Sequence, residues 1–159
     1  MTTQLPPSAQ KVQDSLNDLN LDCIVVELPQ ITRSAVEAAQ AIGCTVAQIA
    51  KSLVFRTRNS QRPILVIASG VNRVNEKIIT ALVGEPIERP DADYVRLRTG
   101  FAIGGVPPLG HNERLDTYID ADLLQLTDLW AAAGTPFAVF KLTPDILIHI
   151  TGGQVVSIK

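Results

Sequence analysis

Lys51 opens an otherwise apolar run, Ala50-Lys51-Ser52-Leu53-Val54-Phe55. A lysine whose stem is flanked by core residues either snorkels to water, the commoner outcome, or aims its ammonium into a cleft. A second group is the stretch Gly100-Phe101-Ala102-Ile103-Gly104-Gly105-Val106-Pro107-Pro108-Leu109-Gly110-His111, where paired glycines precede paired prolines. The glycines permit backbone conformations and close approaches that side chains forbid, and the prolines stiffen the exit. Such a loop is either a wide structural turn between strands or a frame that presents backbone N–H groups to a ligand oxygen.

Other chemistry is sparse. His111 and His149 are the two histidines and Cys23 and Cys44 the two cysteines, and no pair has the close spacing of a zinc site. His149, inside Ile146-Leu147-Ile148-His149-Ile150, reads as a packed or edge histidine of a helix, and Trp130 reads as core. Asp116, Asp120 and Asp122 alternate near a strand end, where Asp120 is placed to cap a helix. The patterns G-x-x-x-x-G-K-[ST], G-x-G-x-x-G, G-x-S-x-G and H-E-x-x-H do not occur. The motif-based cases for an NTPase, a dinucleotide enzyme, a nucleophile-elbow hydrolase and a zincin therefore fail. We expect no metal and no cofactor.

These residues must be positioned by a chain of 159 residues, 46% hydrophobic and 19% charged. That is the length of one domain, and no apolar run approaches the roughly 18 residues of a membrane span. One domain over residues 1–159 is expected, with no internal repeat and no linker. A Ser8-capped helix carries Val12, Leu16 and Leu19 on one face and gives way to the strand-like run Cys23–Val26. Ser34 and Glu37 form a capping box for a helix that Gly43 stops, and a short helical turn follows Thr45. Lys51–Thr57 and Pro63–Ser69 read as a hairpin of central strands, followed by helices at Asn75–Val83 and from Asp91 to about Arg98. Later strands are expected at Leu115–Ile119, Leu129–Ala132, Ala138–Leu142 and Val155–Ile158, with a helix opened by Thr143-Pro144 and ended by Gly152-Gly153. This order argues for an α+β fold with a mixed, mostly antiparallel sheet flanked by helices, and against a doubly wound βαβ fold.

The net charge is −2, which speaks against a generic polyanion binder. Residues 51–77, however, carry Lys51, Arg56, Arg58, Arg62, Arg73 and Lys77 against Glu76 alone, a local +5. That segment is either a solvated face or a docking surface for phosphates. The paired cysteines lie in apolar stretches and read as reduced core residues, and MTTQLPPSAQ is not a secretory signal, so a cytoplasmic location is expected.

Ala50-Lys51-Ser52-Leu53, the loop Gly104-Gly105-Val106-Pro107-Pro108-Leu109-Gly110 and the Ala132-Ala133-Gly134 turn, in this order, resemble the YbaK family of aminoacyl-tRNA deacylases. These are free-standing relatives of the editing domain of bacterial prolyl-tRNA synthetases, and the resemblance spans nearly the whole chain. It implies a curved editing-domain sheet and hydrolysis of the ester joining a wrong amino acid to the 3′ end of a tRNA, most typically tRNA(Pro). Partners so implied are the acceptor end of a mischarged tRNA and prolyl-tRNA synthetase, with no membrane and no metal. The resemblance places Lys51 and Ser52 in the acyl pocket and the family's G-x-x-x-P loop on Gly104 to Pro108. Expected roles are backbone donors at Gly104 and Gly105, electrostatic anchoring by Lys51, and substrate contacts by Ser52, Val106, Pro107, Pro108, Gly110, Ala132, Gly134 and Phe137. Contact with the tRNA falls to Arg56, Arg58, Arg62, Arg73 and Lys77. Cysteine-specific relatives carry Ser and Asp where this chain has Ala132 and Val139, and some relatives have His at Phe137. The departures favour a small uncharged acyl group such as alanine, 2-aminobutyrate or serine over cysteine. The rival reading is a noncatalytic module that binds tRNA or a synthetase, and a small-molecule binding protein on the same fold is a third.

Overall fold

The computed structural model describes residues 4–30, 32 and 34–159. Among them the order is α1 (Pro7–Asp18), β1 (Val25–Glu27), α2 (Ala35–Ile42), β2 (Ile49–Thr57), β3 (Pro63–Ser69), α3 (Glu76–Val83), β4 (Ile87–Glu88) and α4 (Ala92–Thr99). There follow β5 (Asp116–Asp120), β6 (Leu129–Ala132), β7 (Ala138–Leu142), α5 (Pro144–Thr151) and β8 (Gln154–Val156). Single 3-10 turns lie at Val46–Gln48 and Ala121–Gln125. The strands join in one eight-stranded mixed sheet of order β1-β7-β6-β2-β3-β5-β8, with β4 paired to β2. β2 pairs antiparallel with β3 and parallel with β6, and β3 and β8 flank β5 in parallel. The α+β reading with a mixed sheet holds.

Both faces of the sheet are covered, and this accounts for β3. Its seven residues are all buried, because Leu65 and Ile67 pack with α1 and α5 on one face while Ile64, Val66 and Ala68 pack with Ile79 of α3 on the other. Continuous apolar sequence is what a strand buried on both faces requires. Helix ends follow local chemistry. Ser34, Asn75, Asp91 and Thr143 accept a first-turn N–H at their helix starts, and α2, α3, α4 and α5 each end on a left-handed glycine. Ser8 is not a cap: α1 begins one residue earlier, after Pro6, whose fixed φ suits a helix entry. β1 begins at Val25, two residues later than Cys23, and β4 and the Ala121–Gln125 turn are additions too short for any periodicity to mark. Asp120 does cap that turn, accepting from Asp122 N–H at 2.9 Å and, through its other oxygen, from Ser69 N–H at 3.0 Å.

The glycine–proline loop between α4 and β5 is half plug and half edge. Phe101, Val106 and Leu109 are buried in the core, whereas Ile103 and Gly104 are exposed. What holds the loop is a contact between two stretches of bare backbone. Gly134 N–H donates to the Gly105 carbonyl at 2.8 Å, and a Cβ on Gly105 would sit 2.8 Å from both the Gly134 carbonyl and Thr135 Cα. On its other side, a Cβ on Gly134 would sit 2.5 Å from the carbonyl oxygen of Ser8 in α1. No side chain fits at either place. Gly105→Ala should therefore destabilise the protein by about 1–3 kcal/mol, the cost of overpacking, read as a lower urea midpoint with an unchanged m-value.

Candidate functional site

The parallel ladder between β2 and β6 stops early, after Ile49 opposite Trp130 and Ala50 opposite Ala131. Where it stops, a cavity of about 540 Å³ opens. Its walls are the start of α2, β2 from Ile49 to Leu53, the loop residues Ile103, Gly104 and Val106, and the β6–β7 hairpin at Trp130–Ala132, Ala138 and Val139. Thr32 closes one side, its N–H and hydroxyl both donating to the Pro136 carbonyl, at 3.0 and 2.9 Å. Ala132 and Val139 are directly opposed in the β6–β7 ladder and give that wall a small apolar surface.

Three polar features belong to residues that line this space. Lys51 lines it, and none of the ion pairs among the described residues uses its ammonium. Burial pushes its pKa below the ordinary lysine value, and the charges of Arg73 and Arg89 lower it further against a weaker pull from Asp120. The second feature is the Ser52 hydroxyl, a buried oxygen with no hydrogen-bond partner. Third, the N–H groups of Gly104 and Val106 have no acceptor among the described residues. A buried polar side chain without a partner is uncommon in a folded protein, and the serine that carries this one lines the cavity together with Gly104 and Val106. Among the described residues no three His, Cys, Asp or Glu side chains converge on a metal position.

The cavity gathers Lys51, Ser52, Gly104, Val106 and Ala132 from the expected set. It does not gather Gly105, whose N–H is taken by the Ala102 carbonyl at 3.1 Å. Its part is to hold the loop, and the N–H of its neighbour Val106 has no acceptor among the described residues. Pro107 and Pro108 are buried behind the wall, where the Pro107 carbonyl accepts from His111 Nε2–H at 2.7 Å. Burial pushes the His111 pKa down and the charge of Lys11 lowers it further, while the bond to the Pro107 carbonyl acts the other way. Gly110 lines a separate polar depression of about 280 Å³ beside His111. Gly134 is turned toward α1, and Phe137 lies outside the cavity with its carbonyl bound by Leu28 N–H.

The basic segment also divides. Arg56 is paired to Glu88 at 3.1 Å and lies over the Tyr94 ring, while Arg62 is paired to Asp116 at 2.8 Å and Glu85 at 3.9 Å. Arg58 follows the far end of β2, about 23 Å from Lys51 at roughly 3.3 Å per strand residue. Arg73 and Lys77 are exposed and have no carboxylate partner among the described residues, and of these two only Arg73 bears on the charge of Lys51. Two further residues bear on the cavity, Trp130, expected in the core, by lining it and Arg89 by its charge. Trp130 is half-buried and lines the cavity instead of filling the core, and Arg89 joins Arg73 at Lys51 although it stands in an acidic part of the chain.

Residues 30–150 match the family model described as the aminoacyl-tRNA editing domain. A crystal structure described as a candidate trans-editing enzyme for prolyl-tRNA synthetase is 48% identical, with a TM-score of 0.93 over 98% of this chain and 99% of that one. The uncharacterized protein YwhH of Bacillus subtilis (strain 168) is 28% identical over 148 residues, 93% of this chain and 94% of its own. EbsC of Enterococcus faecalis, named as a candidate Cys-tRNA(Pro)/Cys-tRNA(Cys) deacylase, is 25% identical over 126 residues, 79% of this chain and 76% of its own. The matched span contains every residue of the cavity wall, and the chain belongs to the aminoacyl-tRNA editing domain family.

Proposed function

We propose that the protein is a deacylase acting in trans on mischarged tRNA, hydrolysing the ester between a small wrong amino acid and the 3′-terminal ribose. The observation that carries this reading is the gathering in one cavity wall of Lys51, of Ser52 with its unpartnered hydroxyl, and of Gly104 and Val106, whose N–H groups have no acceptor among the described residues. An aminoacyl ester is already activated, so a positioned water and a stabilised oxyanion suffice for its hydrolysis. Water oxygen attacks the ester carbonyl carbon. As the carbonyl oxygen gains charge it is met by the Gly104 and Val106 N–H donors, fixed in place by the Gly105–Gly134 contact. The bond to the ribose oxygen then breaks, the ribose oxygen takes a proton, and the free amino acid and the tRNA depart. Among the described residues no Asp, Glu, His or Cys lines the cavity, so the proton of the attacking water is assigned to pass through the vicinal ribose hydroxyl of the substrate, which gives its own proton to the departing ribose oxygen. Lys51 attracts the anionic acceptor end, with Arg73 outside it, and Ser52 takes a ribose or ammonium hydrogen bond. The tRNA is tRNA(Pro), with prolyl-tRNA synthetase as the source of errors.

The acyl group is small because Ala132 and Val139 leave a narrow apolar wall, with no Asp to pair a polar side chain. Such a pocket admits alanine, 2-aminobutyrate, serine or cysteine and sterically refuses the correct residue, the second sieve of an editing system.

Incubating the pure protein with tRNA(Pro) charged with Ala, Ser, Cys or Pro tests the reading: ester loss above the spontaneous rate is expected on a small mischarged species and not on Pro. Absence of loss on every species would refute it. Lys51→Met should reduce the rate at least about tenfold while leaving the melting temperature equal or higher, because the lysine is a partly desolvated charge without a partner. The enzymatic rate should also fall as pH rises through the lowered Lys51 pKa, on an alkaline limb below the usual lysine value of about 10.4 that Lys51→Arg removes. Val139→Ala should enlarge the pocket and raise hydrolysis of Pro-tRNA(Pro) by about tenfold or more, the worth of a methylene or two in an apolar pocket.

A further inference from the structure

Beside the cavity lies a second, smaller cleft of about 160 Å³. The two share Ser52, Leu53, Ile103, Gly104 and Val106, so the partition between them carries the unpartnered Ser52 hydroxyl and the Gly104 backbone. Beyond the partition the cleft is lined by Val54, Phe55, Arg89, Pro90 and Val95, with no carboxylate. Phe55 and Val95 are buried and form its base, whereas the side chain of Arg89 is 72% exposed and Ile103 is 58% exposed, so these two stand at the rim. The Arg89 guanidinium lies 5.8 Å over the Phe55 ring, and its one carboxylate neighbour, Glu76, is 4.0 Å away with both side chains in water. An ion pair so exposed is worth little and leaves the guanidinium free to adjust.

A ligand spanning both spaces needs two arms on a polar hub: a small acyl arm for the larger cavity, hydroxyls at the partition, and an apolar planar arm for the cleft. Building on the deacylase reading, we propose that the cleft receives the terminal nucleobase of the aminoacyl-tRNA, an adenine, with the ribose at Ser52 and Gly104 and the base stacked against the Arg89 guanidinium and Ile103. Bases are held in this way by apolar surfaces and guanidinium planes, with little reading of their edges. This chemistry makes Arg89 a binding residue for the base and not merely another positive charge at the mouth.

The test uses two non-hydrolysable ligands, 3′-alanylamino-3′-deoxyadenosine and the same alanyl ribose with a methyl group in place of the base, titrated calorimetrically into the intact protein. The base should tighten binding by about tenfold, the range of one stacking interaction. Arg89→Ala, at an exposed position that does not threaten folding, should remove most of that gap, and Arg89→Lys, which keeps the charge but not the plane, should fail to restore it. In deacylation the loss should fall on KM. Equal binding of the two ligands, failure of both to bind, a gap that survives Arg89→Ala, or full restoration by Arg89→Lys would each overturn the assignment. Hydrolysis of mischarged tRNA without a contribution from the base would strike only this cleft, whereas absence of any hydrolysis strikes the deacylase reading.

Discussion

Everything that faces the cavity depends on the closeness of two backbones. The Gly105 carbonyl accepts the Gly134 N–H at 2.8 Å, and the space between them admits no Cβ. The contact ties the loop after α4 to the turn between β6 and β7, and the far side of that turn is pressed in the same way against the start of α1. A loop held by side chains would have had rotamers to lose and gaps to fill, whereas two peptide planes in contact have neither. Gly104 and Val106, on either side of Gly105, inherit this rigidity. Their N–H groups stay unpaired because the Gly105 N–H alone closes the local turn, onto Ala102. Preorganised donors cost no reorganisation when charge develops near them, which is why such donors carry so much of acyl-transfer chemistry.

A second constraint is electrostatic. The chain is net acidic, yet Lys51 at the cavity makes no ion pair among the described residues, and the charges of Arg73 and Arg89 bear on it more strongly than that of Asp120. The fold spends its other central cations differently: Arg56 and Arg62 tie the β2–β3 hairpin to β4 and β5 through Glu88, Glu85 and Asp116. What is left for an anionic ligand is a small positive field of Lys51, Arg73 and Arg89. A field confined to one mouth suits a ligand that presents only its end, since contact with few phosphates gives weak, strongly local and salt-sensitive binding. Net charge therefore says little about nucleic-acid binding for a protein of this kind.

How much of this could be read in the sequence follows from which interactions are local. The hairpin of β2 and β3, the strands β6 and β7, and the helices with a capping residue in front and a glycine behind were legible, because each signal lies within a few residues of the element it sets. The cap of α1 was misplaced by two residues because two prolines and a serine all suit a helix start, and β4 is two residues long. The cavity wall was legible at Lys51 and Ser52 through the family resemblance, whereas a lysine in an apolar strand by itself favours snorkelling to water. Within the loop it was not, since Gly104 and Gly105 look alike in sequence and only the tertiary contact decides which N–H is free. Arg89 gave no signal at all: its charge bears on Lys51 because a short excursion through β4 returns the chain to the edge of β2.

The place where the β2–β6 ladder ends explains why the cavity can be both apolar and polar. While two strands pair, their N–H and C=O groups are consumed and only side chains reach the space above them. Past Ala50 and Ala131 that ceases, so Lys51 to Leu53 can offer residues of both strand faces to one volume. Ala132 continues in register with Val139 of β7, and that side of the cavity stays a closed, apolar ladder. On the deacylase reading proposed above, selectivity for a small acyl group belongs to the β6–β7 wall and attraction for a charged acceptor end to β2. Substitution at Ala132 or Val139 can reshape the acyl pocket without disturbing Lys51, and relatives can differ in the acyl group they remove while sharing the other wall.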